Sequence, residues 1–210
     1  MVYNSHLKIM KKLLFSLVAL VAMSLTFVAC DNGTDPGTKP GGNQTVKSNC
    51  SPYDAQYYVD ESGAIYLFEF LTEGLEVSGQ NIFGSGDDVI LMVYAQPQKD
   101  GYPTAKTYEV IPFEEITEED TECVVGGYVY QSNVIGSYAY VVEEGEAVDG
   151  LLCIGGSIKF EGNATNGTMT ANLEFMDTKG NTVEREYIYS GKLNIEQYVD
   201  EAPARAPKMR

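Results

Sequence analysis

The chain has 210 residues, with 14 Lys and Arg against 30 Asp and Glu, a formal net charge of −16 and a single histidine, His6. The acid excess excludes a binder of nucleic acid, which needs a basic face, and the shortage of histidine removes His-assisted nucleophiles and most zinc sites. An apolar content of 44%, with 15 Tyr and 8 Phe, is too high for a disordered chain and enough for one core.

Lys11-Lys12 precede the 17-residue apolar run Leu13 to Ala29, which ends at Cys30. A short basic segment, a greasy stretch and small residues before a cleavage point describe an export signal over 1–29. Its compact charged start, Met10-Lys11-Lys12, makes Met10 the expected point of initiation. Phe27-Val28-Ala29-Cys30 resembles a bacterial lipobox, departing from it in having Phe27 where Leu is usual. The resemblance implies cleavage before Cys30 and a diacylglycerol on its thiol. The alternatives are an ordinary cleaved signal and a retained helix, the latter short for about 30 Å of hydrocarbon. Cleavage removes Lys8, Lys11 and Lys12, leaving 11 basic against 30 acidic side chains and a net charge of −19. The resemblance also implies a third acyl chain on the new amino terminus, and three chains exceed what stable anchoring requires.

Residues 30–49 read as a lipidated flexible tether: Asp31 to Asn49 hold four Gly, two Pro and the single aliphatic Val46, a composition without periodicity. Residues 50–198 suit one domain with one core. Residues 199–210, with Pro203, Pro207 and a basic end, read as a disordered tail.

Within the domain, Met169, Ala171, Leu173 and Phe175 alternate with Thr170, Asn172 and Glu174, the period-two pattern of a half-buried strand. Asp177-Thr178-Lys179-Gly180-Asn181 then turns the chain into Thr182–Ser190, as Asn166-Gly167 does between Ser157–Glu161 and the Thr168 strand. Asp100-Gly101 separates Val89–Ala95 from Lys106–Ile111, and Glu144 to Gly150 separates Ser137–Val142 from Leu151–Ile154. With Gln56–Asp60, Ala64–Leu71 and Val124–Gln131 this makes about ten short strands. Pro112 to Glu119 is too short and too acidic for a stable helix. The expected class is all-β, an antiparallel β-sandwich or a flattened β-barrel.

Tyr66-Leu67-Phe68-Glu69-Phe70, Gly84-Ser85-Gly86-Asp87-Asp88, Ile90-Leu91-Met92-Val93-Tyr94, Tyr102-Pro103-Thr104-Ala105, Gly156-Ser157-Ile158-Lys159-Phe160 and Ile188-Tyr189-Ser190-Gly191-Lys192-Leu193 together resemble small Bacteroides-type lipoproteins with one β-rich domain and no assigned reaction. That resemblance implies an outer-membrane or cell-surface location and carries over no catalytic residue.

Few residues point to chemistry. With Cys30 acylated, Cys50, Cys123 and Cys153 remain; Cys123 and Cys153 both lie in strands beside apolar residues and form the first candidate disulfide, against free buried thiols as the alternative. Glu114-Glu115, Glu118-Glu119-Asp120 and Glu143-Glu144 read as solvated loop charges. Asp87-Asp88 read as turn chemistry, because calcium needs six to eight oxygens and no Asp-x-Asp spacing supplies them; neither a metal nor a cofactor is expected. Glu69 shares a strand face with Ile65, Leu67 and Leu71, and if that face is buried it needs a partner, for which Arg185 is the candidate, or a raised pKa. Tyr128 and Tyr130, and Tyr138 and Tyr140, each present two rings to one side of a strand. On adjoining strands the four make an aromatic platform for a glycan or protein partner, with core packing as the plain alternative. The functional expectation is a lipid-anchored envelope binding module without catalysis, its membrane contact being the acylated Cys30. A barrel holding a small apolar ligand and a pilus-like structural subunit are the alternatives.

Overall fold

The computed structural model describes residues 45–198 except 60–62, 80, 118 and 132. The signal peptide, Cys30, most of the tether and the tail expected above lie outside the described residues. Strands follow one another in chain order as β1 (Val46–Val59), β2 (Ala64–Thr72), β3 (Leu75–Ser78), β4 (Asn81–Gly84), β5 (Gly86–Ala95), β6 (Thr107–Ile111), β7 (Cys123–Val125), β8 (Tyr128–Tyr130), β9 (Asn133–Ile135), β10 (Tyr138–Glu143), β11 (Glu146–Glu161), β12 (Gly167–Met176), β13 (Thr182–Gly191) and β14 (Glu196–Gln197). The only helical turn among the described residues is the 3-10 segment Phe113–Glu115, as its acid-rich sequence leads one to expect. The protein is all-β.

The principal sheet closes on itself. β10 pairs with β11 on one edge and β5 on the other, so β5, β10, β11, β12, β13, β1 and β2 form a hydrogen-bonded ring. Of the two architectures expected, this is the barrel, and closure removes the open edges that a sandwich must protect. Further along the wall, β7 and β6 take the place of β10 between β5 and β11. Not every pairing is antiparallel: Val46–Asn49 run parallel to Arg185–Ile188, and Gln56–Tyr57 parallel to Glu196–Gln197.

Four expectations are corrected here. Val46–Asn49 belong to the barrel wall rather than to the tether, because their backbones pair with β13 although their side chains carry no apolar signal. Leu151–Ile154 and Ser157–Glu161 are one strand, bent by a bulge between Cys153 and Gly155. Gly156 there has φ +102°, and a Cβ on it would lie 2.1 Å from the Asn172 carbonyl oxygen, so the position takes only glycine. Val124–Gln131 is broken at Gly126-Gly127 into β7 and the outlying hairpin β8–β9. Asp87 and Asp88 lie in strand β5, not in a turn.

The switch from β10 to β7 along one edge of β5 is held by Ser137, which is fully buried. The Met92 N–H donates to Ser137 Oγ (3.0 Å), the Ser137 N–H to the Val125 carbonyl (2.9 Å), and the Cys153 N–H to the Ser137 carbonyl (3.1 Å). One residue thereby joins β5, β7 and β11 where no ladder is continuous, which satisfies backbone groups that would otherwise be buried unpaired.

Alternation sends Ala64, Tyr66, Phe68 and Phe70 of β2 and Val89, Leu91, Val93 and Ala95 of β5 into the interior. Rings fill it. Tyr57 stacks on Tyr66 (5.2 Å between centroids) and Tyr66 on Phe68 (5.5 Å), while Phe160 meets Phe68, Tyr102 and Tyr108 within 6 Å. The loop after β5 plugs this end, since Tyr66 Oη donates to the Gly101 carbonyl and Tyr102 Oη to that of Thr168. Buried tyrosines thus serve as rings with a satisfied polar tip.

Phe160→Ala, which empties the meeting point of three aromatic contacts, should cost about 3–5 kcal/mol in urea unfolding. Ser137→Ala, which removes little volume but strips Met92 of its partner, should cost about 1–3 kcal/mol. A loss under about 1 kcal/mol for both would contradict the closed, ring-filled barrel.

Candidate functional site

Because β2, β5 and β10 are neighbours in register, their outward residues form rows across the wall. One row runs Asp54, Glu69, Ile90, Tyr138; the next runs Leu71, Asp88, Tyr140. Three acidic side chains and two tyrosines therefore occupy one patch of the outer surface. Tyr138 and Tyr140 are half-buried and meet edge to face, with centroids 5.5 Å apart and planes at 77°. The hairpin of β3 and β4 covers one flank: Leu75, Val77 and Ile82 pack with Leu71, Val142 and Tyr140.

That cover explains the electrostatics. Asp88 is only 7% exposed, and its Oδ1 is buried with no hydrogen-bond partner. Burial pushes its carboxyl up to about 6. Glu69 is pushed up to about 7, first by burial and then by the charges of Asp88 and Asp54. Burial also raises Tyr138 and Tyr140, reinforced by Asp88. A partnerless buried carboxylate oxygen is costly. Among the described residues no ion pair reaches Glu69 or Asp88.

Glu69 faces outward and half-buried beside Ile65 and Leu67, with the raised pKa that burial of its face demands. Its suggested partner does not reach it. Arg185 points into the barrel, where its Nε donates to Asp87 Oδ2 (3.3 Å) and Tyr187 Oη donates to the same oxygen (2.9 Å).

The expected four-tyrosine platform is not assembled. Tyr138 and Tyr140 stand on the barrel wall, whereas Tyr128 and Tyr130 belong to the β8–β9 hairpin, which pairs only with itself. Tyr128 stacks on Phe113 (5.2 Å, 16°) and Tyr130 is 54% exposed. The glycines at 126 and 127 separate the pairs. The expected Cys123–Cys153 bridge is also absent: Cys50, Cys123 and Cys153 are free and buried. Cys123 pairs with the outward Tyr94 while its neighbour Val124 pairs with the inward Val93, and Cys153 belongs to the interior core. The two thiols face opposite sides of the wall. Burial pushes Cys50 and Cys153 up to about 12 and Cys123 up to about 11, which leaves little nucleophilic thiolate.

Asp88 is the residue of this patch that sequence reasoning missed, because Gly84-Ser85-Gly86 before it reads as a turn. Its position in period with Ile90, Met92 and Tyr94 was the available signal. Beside the patch lies an open groove of about 450 Å³, lined in part by Tyr53, Leu71, Glu73, Leu75 and Val77. Among the described residues no three His, Cys, Asp or Glu side chains group to hold a metal ion, and no helix is long and apolar enough to cross a membrane. No family model, curated protein or solved structure matches the chain.

Stability should depend on Glu69 in a definite direction. Its folded pKa lies above the ordinary carboxyl value, so between that value and about 7 the folded chain holds a proton that the unfolded chain releases. Its contribution is therefore complete at low pH and lost as pH rises through 7. Glu69→Gln should stabilise by about 1 kcal/mol at pH 8, allowing for partial solvent access, and by nothing at pH 4. Equal melting shifts at both pH values would contradict this.

For the thiols, N-ethylmaleimide at pH 8 should leave native Cys50, Cys123 and Cys153 unlabelled over minutes and label all three in urea, while reductant leaves Tm unchanged. A Tm lowered by reductant would reveal a bridge.

Proposed function

We propose that the chain is a lipid-anchored binding module of the outer membrane or cell surface, held by acylated Cys30. It engages a glycan or protein partner on the outer wall of its barrel, through Glu69, Asp88, Tyr138 and Tyr140. The observation that carries this reading is the buried, partnerless Asp88 Oδ1 beside a second half-buried carboxyl and two rings. An acceptor withheld from water and from the protein is served by a ligand's donor, and edge-to-face tyrosines add area with hydroxyl tips. The interior offers no comparable opportunity, because side chains occupy the space that an apolar ligand would need. Ring closure tells against a pilus-like subunit, because it removes from the principal sheet the long open edge that donor-strand pairing uses, leaving edges chiefly on the short hairpins. Catalysis is not part of the reading. A two-carboxyl hydrolase needs one acid held low and the other high, whereas Glu69 and Asp88 are both pushed up.

The test has two arms. Labelled palmitate should mark the expressed full chain and fail to mark Cys30→Ser. On the same membranes, ligands found by glycan array or with purified surface proteins should bind at least tenfold more weakly to Tyr138→Ala/Tyr140→Ala, and normally to Tyr130→Ala. An unlabelled cytosolic protein would overturn the anchor, and undiminished binding by the double variant would overturn the site.

A further inference from the structure

The outer-wall patch is acidic and lacks a counter-charge. Asp54, Glu69 and Asp88 converge on it from β1, β2 and β5, and Glu73 lines the adjoining groove. Among the described residues the ion pairs are Lys47–Glu186, Lys106–Glu122, Lys159–Glu161 and Arg185–Asp87, and none includes Glu69 or Asp88. The Gln56 amide satisfies Asp54 (2.6 Å), which leaves Asp88 Oδ1 as the acceptor without a partner. Nothing positive offsets the two raised carboxyls: burial raises both, and the charges of Asp88 and Asp54 raise Glu69 further.

We propose that this patch binds a primary ammonium group, the side chain of a lysine on a partner protein, between Glu69 and Asp88 and beside the rings of Tyr138 and Tyr140. The proposal rests on the outer-wall reading above and narrows its ligand. An ammonium brings several donors and a full charge, which satisfies the orphan oxygen and relieves the repulsion between the acids. The tyrosine rings add attraction for a cation. Leu71 is the cross-strand neighbour of Asp88 and also lines the groove, together with Leu75 and Val77, so the methylene stem of a lysine has an apolar surface along which to lie. The pair of rings at 77° gives no flat face for a pyranose, which favours a lysine over an amino sugar.

Titration calorimetry on the detergent-solubilised full chain tests this with three probes: tetralysine, its fully N-acetylated form, and a glucosamine tetramer. Tetralysine should bind, and the acetylated peptide should bind about tenfold more weakly or not at all. Glu69→Gln and Asp88→Asn should each weaken tetralysine about tenfold, and Tyr138→Leu should weaken it too. Glu114→Gln/Glu115→Gln, which removes acids from an exposed turn, should bind as the wild type does. If Asp88→Asn fails to fold, Glu69→Gln at its half-exposed position carries the comparison. Equal losses in the Glu114/Glu115 variant would mean diffuse attraction to an acidic protein and would overturn the proposal. Glu69- and Tyr138-dependent binding of the acetylated peptide would overturn the ammonium while leaving the outer-wall site standing. Binding of the glucosamine tetramer alone would overturn the lysine assignment, and silence from all three probes would overturn the proposal outright.

Discussion

The barrel depends on a junction at which one strand edge serves two partners. β5 gives residues 86–90 to β10 and residues 93–94 to β7, and between them the ladder is interrupted. An interruption inside a closed wall leaves buried backbone groups that neither water nor a neighbouring strand can reach. Ser137 resolves this with its hydroxyl, its N–H and its carbonyl, each committed to a different strand. Gly136 makes the approach sterically feasible: at φ +83°, a Cβ on it would fall 2.0 Å from the Gly126 carbonyl oxygen. The turn of chain that closes the ring thus rests on a glycine and a serine rather than on apolar burial.

Closure decides where chemistry can occur. A ring of seven strands encloses a space that side chains can fill, and here aromatic rings fill it from Tyr57 to Phe160. Polar groups turned inward must then be paired, as Asp87 is with Tyr187 and Arg185. Groups turned outward are free to meet a ligand. The β3–β4 hairpin alters that simple division, because its small apolar cluster with Leu71 and Val142 dries part of the outer wall. Asp88 has the solvent shielding of a core residue while standing on the outside of the barrel.

Much of this is legible in the sequence wherever side-chain periodicity carries the information. The alternation from Met169 to Phe175, the Asp177–Asn181 turn and the face shared by Glu69 with Ile65 and Leu67 follow from period two and turn chemistry. Features made by backbones are not legible in this way. Val46–Asn49 join the wall through parallel hydrogen bonds while exposing Val46, so no apolar pattern marks them. The β8–β9 turn places Gln131 at φ +58°, where Asn or Gly would have signalled a hairpin, and so the separation of Tyr128 and Tyr130 from Tyr138 and Tyr140 is hidden. Ring closure is a long-range pairing between β5 and β10, and no local pattern specifies it.

The Asp87-Asp88 dipeptide shows the inside and the outside of the wall imposing opposite conditions on one residue type. Read as a turn, the two acids are equivalent; in a strand, successive side chains leave on opposite faces. Asp87 enters the barrel and receives an arginine and a tyrosine, so its charge is compensated and its role is structural. Asp88 leaves the barrel and is dried by the hairpin, its Oδ1 left without a partner. Two identical residues one peptide apart thus differ because the wall has an inside that had to be satisfied for the protein to fold. The outside carries no such requirement, and an uncompensated acid can persist there at a cost in stability that a bound cation would offset.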